Sequence, residues 1–353
     1  MMMIMQSDNV MNVEGRVPKV SIVLPTFNRV RFIPQAVASI TQQTFDDWEL
    51  IVVDDGSTDE SGELVARFAR EVSHPIRYLR QENQGPAAAR NLGIRSARGK
   101  YVAFFDSDDT WETEHLAVCV RELEANTDVD WVYSSFRRVR VGSGEIIDAD
   151  AFVEAGRRAE FLSLKTSRRG DLHVIDDLGA LKCSIEHGLC VGLRTSVVRR
   201  KVFEKIEFPP FRVGEDQVLY PRALANGVRF GYVLNVQATA YVHDGNISEV
   251  AGDLLTDKYV KTLSELVRAF ESIRDLPLAP DERRALQRRI ANESFWNLGY
   301  ICLGAGRNQD ALKYLLGGLR LWPQNLMFWK TYVVAVFRVA ARGVFSRGSK
   351  VAH

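Results

Sequence analysis

From Lys19 onward the chain alternates short, wholly apolar runs with segments whose apolar residues recur at helical spacing: KVSIVL, RFIPQAVASITQQ, ELIVV, ESGELVARFAREV, IRYL, PAAARNLGIRSA and YVAFF. Apolar runs of this length are strands buried on both faces, and strands alternating with helices predict an α/β fold with a mostly parallel, doubly wound sheet. Ile33, Ala36, Val37 and Ile40 share one helical face, as do Leu116, Cys119, Val120 and Leu123. Ser57 and Glu60 have the spacing of a capping box, and Pro86 suits a first helical turn.

With 353 residues, 46% of them hydrophobic, the chain can bury a full-size core and still supply a second module. A formal net charge of +1, with no basic tract interleaved with aromatics, argues against nucleic acid as a partner. Cys119, Cys183, Cys190 and Cys302 lack the spacing of a zinc knuckle and read as reduced thiols of a cytoplasmic protein. Residues 1–16 have neither the basic region nor the cleavage site of a signal peptide and read as a flexible leader. No run of eighteen apolar residues predicts a membrane span.

Residues 17–250 are expected to form the α/β domain. Within it, residues 137–186 lose any clear period and read as an irregular, acceptor-facing insertion. LCVGL follows as a strand, then a short helix near 196–205 and a helix from Asp216 to Ala225 ended by Gly227. Residues 251–353 read as long helices. Phe295, Leu298, Gly299, Gly306, Ala311, Leu315, Gly318 and Pro323 match one tetratricopeptide-like helix pair, which cannot bury its own face and should dock on the catalytic domain or on another subunit. The last helix, LMFWKTYVVAVFRVAARGVFSRGSK, has five basic and no acidic residues. It suits either a helix lying in a membrane interface or a basic helix packed on the domain.

The chemistry concentrates where strands end, because chains leaving the carboxyl ends of such strands line the ligand crevice. LPTFN closes the first strand. Phe27 either stacks on a flat base or caps the sheet, while the backbone at Pro25 and Thr26, followed by Asn28, is placed to read the base edge. After the second strand, Asp55 can accept a hydrogen bond from an imide N–H, and Asp54 and Ser57 shape the turn. NQGPAAARNLG allows close approach at Gly85, and its Arg90 suits either a phosphate or ribose contact or a surface ion pair. Neither a dinucleotide-binding nor a P-loop glycine pattern is present.

YVAFF runs straight into Asp106, Ser107, Asp108 and Asp109. Carboxylates crowded at the mouth of a buried strand repel, which calls for a cation, and oxygen ligands select Mg²⁺ or Mn²⁺. Asp109 or Thr110 is expected to cap the following helix, leaving Asp106 and Asp108 for the metal. Glu215-Asp216 starts a helix either as its cap or with Asp216 as a general base. His243 is either an exposed loop histidine or a neutral ligand of metal or diphosphate.

In order, KVSIVLPTFNR, ELIVVDDGSTD, NQGPAAARNLG, GKYVAFFDSDD, GEDQVLYPRALANG and YVHDGNIS closely resemble the family 2 glycosyltransferases of the GT-A fold. The resemblance implies that Pro25, Phe27 and Asp55 contact the base, Asp106 the ribose and metal, Asp108 the metal, and His243 the diphosphate region. It also implies that Asp216 acts as base in an inverting transfer, with Glu215 on the acceptor or donor-sugar side. The expected partners are a nucleotide-sugar donor, UDP-linked, and a saccharide or lipid-linked acceptor, with action in the cytoplasm or at the inner membrane face. A sugar nucleotidyltransferase and an inactive nucleotide-sugar-binding module are the alternatives. The former would want a glycine-rich basic loop after the first strand, which LPTFNRVRF lacks.

Overall fold

The computed structural model describes residues 17–154, 156–189, 192–243 and 257–348, and the chain divides into two compact units between His243 and Asp244. The leader, Cys190 and the end of the YVHDGNIS motif lie outside the described residues, as does the expected boundary at residue 250.

The first unit opens with β1 (Val20–Thr26), β2 (Trp48–Asp54), β3 (Ile76–Arg80) and β4 (Tyr101–Phe104), paired in parallel in the order β3-β2-β1-β4. α1 (Ile33–Thr41), α2 (Ser61–Glu71), α3 (Pro86–Ser96) and α4 (His115–Ala125) accompany them. Every residue of β2 and β4 is buried, as continuous apolar runs require. The predicted faces of α1 and α4 are the buried ones. α3 lies close on β1, and a Cβ at Gly93 would come within 2.4 Å of Val23 Cγ1, so the small residues of that helix serve helix–strand contact.

Beyond β4 the sheet becomes mixed. β5 (Asp109–Trp111) pairs antiparallel with β13 (Phe230–Val242), which itself lies parallel to β6 (Trp131–Arg140). β7 (Ile146–Asp148) edges β6, and β8 (Val153–Glu154) with β9 (Arg157–Arg158) forms a separate ribbon. β10 (Thr166–Arg169) and β11 (Leu172–Ile175) extend the sheet beyond β13, before α5 (Ala180–His187). The expected irregular insertion is therefore built of short strands and turns before α5; apart from β11, which lies between β10 and β13 with Leu172, Val174 and Ile175 buried, these strands are exposed or half-exposed and carry no apolar alternation.

Two further expectations are corrected. Leu193–Thr195 is a 3₁₀ turn rather than part of a strand, and 196–205 divides into β12 (Val197–Arg199) and a 3₁₀ turn at Arg200–Glu204. β12 runs antiparallel between β4 and β6. α6 (Glu215–Ala225) begins one residue before its expected start.

The second unit contains α7 (Asp257–Glu271), α8 (Pro280–Asn292), a π-helical stretch at Glu293–Tyr300, α9 (Ile301–Gly304), α10 (Asn308–Leu321) and α11 (Leu326–Gly348). Its helices cross at two glycines. A Cβ at Gly299 would meet Leu315 at 2.8 Å, and one at Gly318 would meet Phe295 at 2.8 Å.

Candidate active site

The residues that follow β1, β2 and β4 lie close together, joined there by the start of α6 and the end of β13. After β1, Asn28 takes a left-handed conformation at φ +53°. Its side-chain oxygen accepts from Thr58 N at 2.8 Å, while its own N–H donates to Ser57 Oγ at 2.9 Å. Asn28 thus ties the loop after β1 to the loop after β2. The same contact overturns the expected capping box: Ser57 is occupied by Asn28, and Glu60 precedes α2 without any side-chain cap. Phe27 is 45% exposed, whereas Thr26 is buried with its hydroxyl oxygen lacking a hydrogen-bond partner. Pro25 pairs with Val53 inside the sheet.

Asp54 shapes the second loop, accepting from Ser57 N at 2.7 Å and from Tyr78. Asp55 is buried and reaches the loop before α3. Its Oδ1 accepts from Gln81 Nε2 at 2.7 Å and Gln84 N at 2.8 Å, and its Oδ2 accepts from Gly85 N at 2.8 Å. A carboxylate has about four acceptor positions, so these three donors leave about one. Gly85, at φ +93°, sets the entry to α3 with the Arg212 side chain packed over it. Asn91 exchanges two hydrogen bonds with the backbone of Phe208, fixing the segment that leads into α6.

Charge organises the rest. Arg90 is buried and makes no surface ion pair; Nη2 donates to Asp106 at 2.9 Å and Nη1 to Glu215 at 2.7 Å. Arg194 donates to Asp109 at 2.6 Å and lies 3.9 Å from Asp106, with its guanidinium 4.8 Å from the centroid of Phe136. Arg29 lies 3.6 Å from Asp108. The cation demanded by the acidic cluster is thus supplied in large part by three arginines. Burial pushes the Asp106 carboxyl up, but Arg90 and Arg194 outweigh it and hold the group below the usual aspartate range.

Asp109 is not a helix cap. It sits in β5, is almost fully buried, and accepts from Tyr241 N at 3.3 Å as well as from Arg194. α4 starts only at His115, so the residue fixes β5 to β13 instead.

His243, at the end of β13, is not an exposed loop residue either. Its side chain is 5% exposed, stacks on Phe32 with centroids 4.6 Å apart, and has Nε2 3.2 Å from Asp108 Oδ2. Asp108 and His243 fit a divalent ion that takes few protein ligands and completes its shell with water and phosphate oxygens. Among the described residues no group of three or more His, Cys, Asp or Glu side chains is arranged to hold a metal.

Across the Arg90 bridge, Gly214 turns in the left-handed region at φ +79° and delivers Glu215 and Asp216 to the first turn of α6. Glu215 is buried and paired with Arg90. Burial and the neighbouring Asp216 charge push its carboxyl up to about 7. Withdrawal from water raises Asp216 above an ordinary aspartate, against the pull of Arg90. The structure therefore joins Asp106, Arg90, Glu215 and Asp216 in one charged array, with Asp108 and His243 beside it. Arg29, Arg194 and Phe32 had received no role from the sequence. Arg29 stood inside a quoted motif, but Arg194 is 85 residues from Asp109, the carboxylate to which it donates, and carried no local signal.

The chain as a whole is similar to known proteins. The family described as Glycosyl transferase family 2 covers residues 21–200, and the chain belongs to that family. TuaG of Bacillus subtilis, a putative teichuronic acid biosynthesis glycosyltransferase, is 30% identical over 212 residues, covering 60% of this chain and 73% of TuaG. An uncharacterized glycosyltransferase of Rickettsia felis is 38% identical over 121 residues, covering 34% of this chain and 20% of its own length. The chain thus spans only about a fifth of that relative. Among solved structures, S. aureus TarS 1-349 in complex with UDP-GlcNAc superposes with a TM-score of 0.59 at 18% identity, over 86% of this chain and 81% of that one. The likeness establishes the GT-A type of fold.

Proposed function

We propose that this chain moves a single sugar, with inversion, from a UDP-sugar to a saccharide or lipid-linked saccharide acceptor. The observation that carries the reading is the charged array in which Arg90 bridges Asp106 after β4 to Glu215, with Asp216 next to Glu215 in the first turn of α6 and under the same guanidinium's electrostatic pull. Asp216, with its raised proton affinity, takes the proton of the acceptor hydroxyl as that oxygen attacks the sugar's C1. The bond from C1 to the diphosphate oxygen breaks on the opposite face, and its electron pair leaves on the diphosphate. Arg29 and Arg194 are placed to answer the growing negative charge, and Arg90 holds Asp106 and Glu215 in position. A divalent cation held by Asp108 and His243, with Asp106 nearby, would supply further neutralisation of the diphosphate when bound.

Donor choice is supported by the open acceptor position on Asp55, which suits a uracil N–H, by exposed Phe27 for stacking, and by the unpartnered Thr26 hydroxyl. The shared fold adds support, since TarS was solved with UDP and with UDP-GlcNAc. Action at the inner face of the membrane belongs to the same reading.

Incubation with a panel of UDP-sugars and Mn²⁺ or Mg²⁺ tests it. Slow release of UDP, lost with EDTA and restored by the ion, is expected. Pyrophosphate release from UTP and a sugar phosphate, or no turnover of any donor, would overturn the transferase reading. Turnover indifferent to chelation would remove the metal.

A further inference from the structure

α11 is held in its unit along one face. Phe328 stacks on Phe295 with centroids 3.9 Å apart, Trp322 meets Phe328 edge-on, and Ala335 is buried two turns further along. A helix packed in this way ordinarily turns polar residues outward. Here the outward side is apolar too. Leu326, Trp329, Val333, Val336 and Phe337 follow at i, i+3, i+7, i+10 and i+11, the spacing of one stripe, and all are exposed, Leu326 by 81% and Phe337 by 70%.

The stripe is bordered by exposed Lys330 and Arg338, and the sequence from Leu326 to Gly348 contains no Asp or Glu. That charge pattern selects the occupant. Two copies joined stripe to stripe would bring basic residues against basic residues, with no carboxylate on either helix to answer them. An anionic bilayer surface answers both features: the apolar stripe and its tryptophan reach the acyl boundary while the basic residues meet phosphate headgroups. Among the described residues no helix is long and apolar enough to cross a membrane, so the contact would lie in the plane.

We propose that α11 is an in-plane anchor that docks this chain on anionic lipid surfaces through the Leu326, Trp329, Val333, Val336 and Phe337 stripe. The proposal rests on the functional reading above only for its location at a membrane. Its readout is independent of sugar chemistry.

The test is co-sedimentation of the full chain with vesicles of phosphatidylcholine alone and of phosphatidylcholine with phosphatidylglycerol, UDP release being followed in the same samples. Binding to the anionic vesicles is expected, weakening as salt rises. Trp329→Ser with Phe337→Ser should lower it at least tenfold, and Lys330→Gln with Arg338→Gln by about twenty-fivefold, at roughly a fivefold loss for each basic residue. Both variants lie on an exposed face, and their helical circular dichroism and UDP release should match the parent. Equal binding to neutral vesicles, or unchanged binding by either variant, would overturn the anchor. So would a dimer in sedimentation velocity that the Trp329 and Phe337 substitutions dissolve. Vesicle binding without UDP release would leave the anchor standing and count against the enzyme reading instead.

Discussion

The loops after β2 and β4 both end a buried strand in carboxylates, yet they satisfy them by opposite means. Asp55 is held by two backbone N–H groups and one amide side chain, all within the segment from Gln81 to Gly85. Asp106 and Asp108 are held by arginines and a histidine drawn from β12's approach, α3, the loop after β1 and the end of β13, and Asp109 by Arg194 together with the Tyr241 N–H. Backbone donors cannot leave without unfolding the loop, so Asp55 is a fixed part of the wall. Arginine side chains can exchange a carboxylate for a phosphate oxygen, so the second loop is where an anionic donor can be taken up and released.

The sharpest way to break this contrast is Arg90→Met. It strands the buried Glu215 carboxyl without its cation and leaves the partly exposed Asp106 with Arg194 alone, and a stability loss of about 3 kcal/mol is expected in urea unfolding. A loss under 1 kcal/mol would mean that the bridge is dispensable. Asp55→Asn should cost about 2 kcal/mol, because an amide turned to this loop presents N–H groups to a backbone N–H and leaves it unsatisfied. The same unfolding measurement reads it, and a faster hydrogen exchange at Gly85 should accompany the loss.

A third effect is graded with pH. The Glu215 carboxyl is pushed up to about 7 in the folded chain against a reference of 4.5. The folded state therefore binds more protons than the unfolded state in that window. This group's contribution is complete below the reference value and is lost as pH rises toward 7, by at most about 1.4 kcal/mol per pH unit. Glu215→Gln should flatten that part of the stability profile, and an unchanged slope would show that Arg90 keeps the group ionised throughout.

Much of this was legible before any coordinates. Continuous apolar runs located β1 to β4, and helical periodicity gave the inward faces of α1 and α4, because burial on both sides of a strand leaves a composition that no surface segment has. The edge strands β7 to β10 were illegible, since residues such as Thr166 to Arg169 are half in water and need no alternation. Local spacing also misled. Ser57 and Glu60 look like a capping box, but a distant Asn28 claims Ser57. The acidic cluster was found at once, while its counter-ions were not: nothing local distinguishes Arg194, paired across the sheet with Asp109, from the many arginines that face solvent.

The array matters to function only if the carboxylate at its far end does chemistry. Asp216→Asn, assayed in the steady state with saturating donor and acceptor, measures this most directly. The account predicts a fall in kcat of about 10²–10⁴-fold, the range of a positioned general base, with UDP still bound and the unfolding midpoint close to that of the parent. Turnover near that of the parent in a folded Asp216→Asn variant would contradict it.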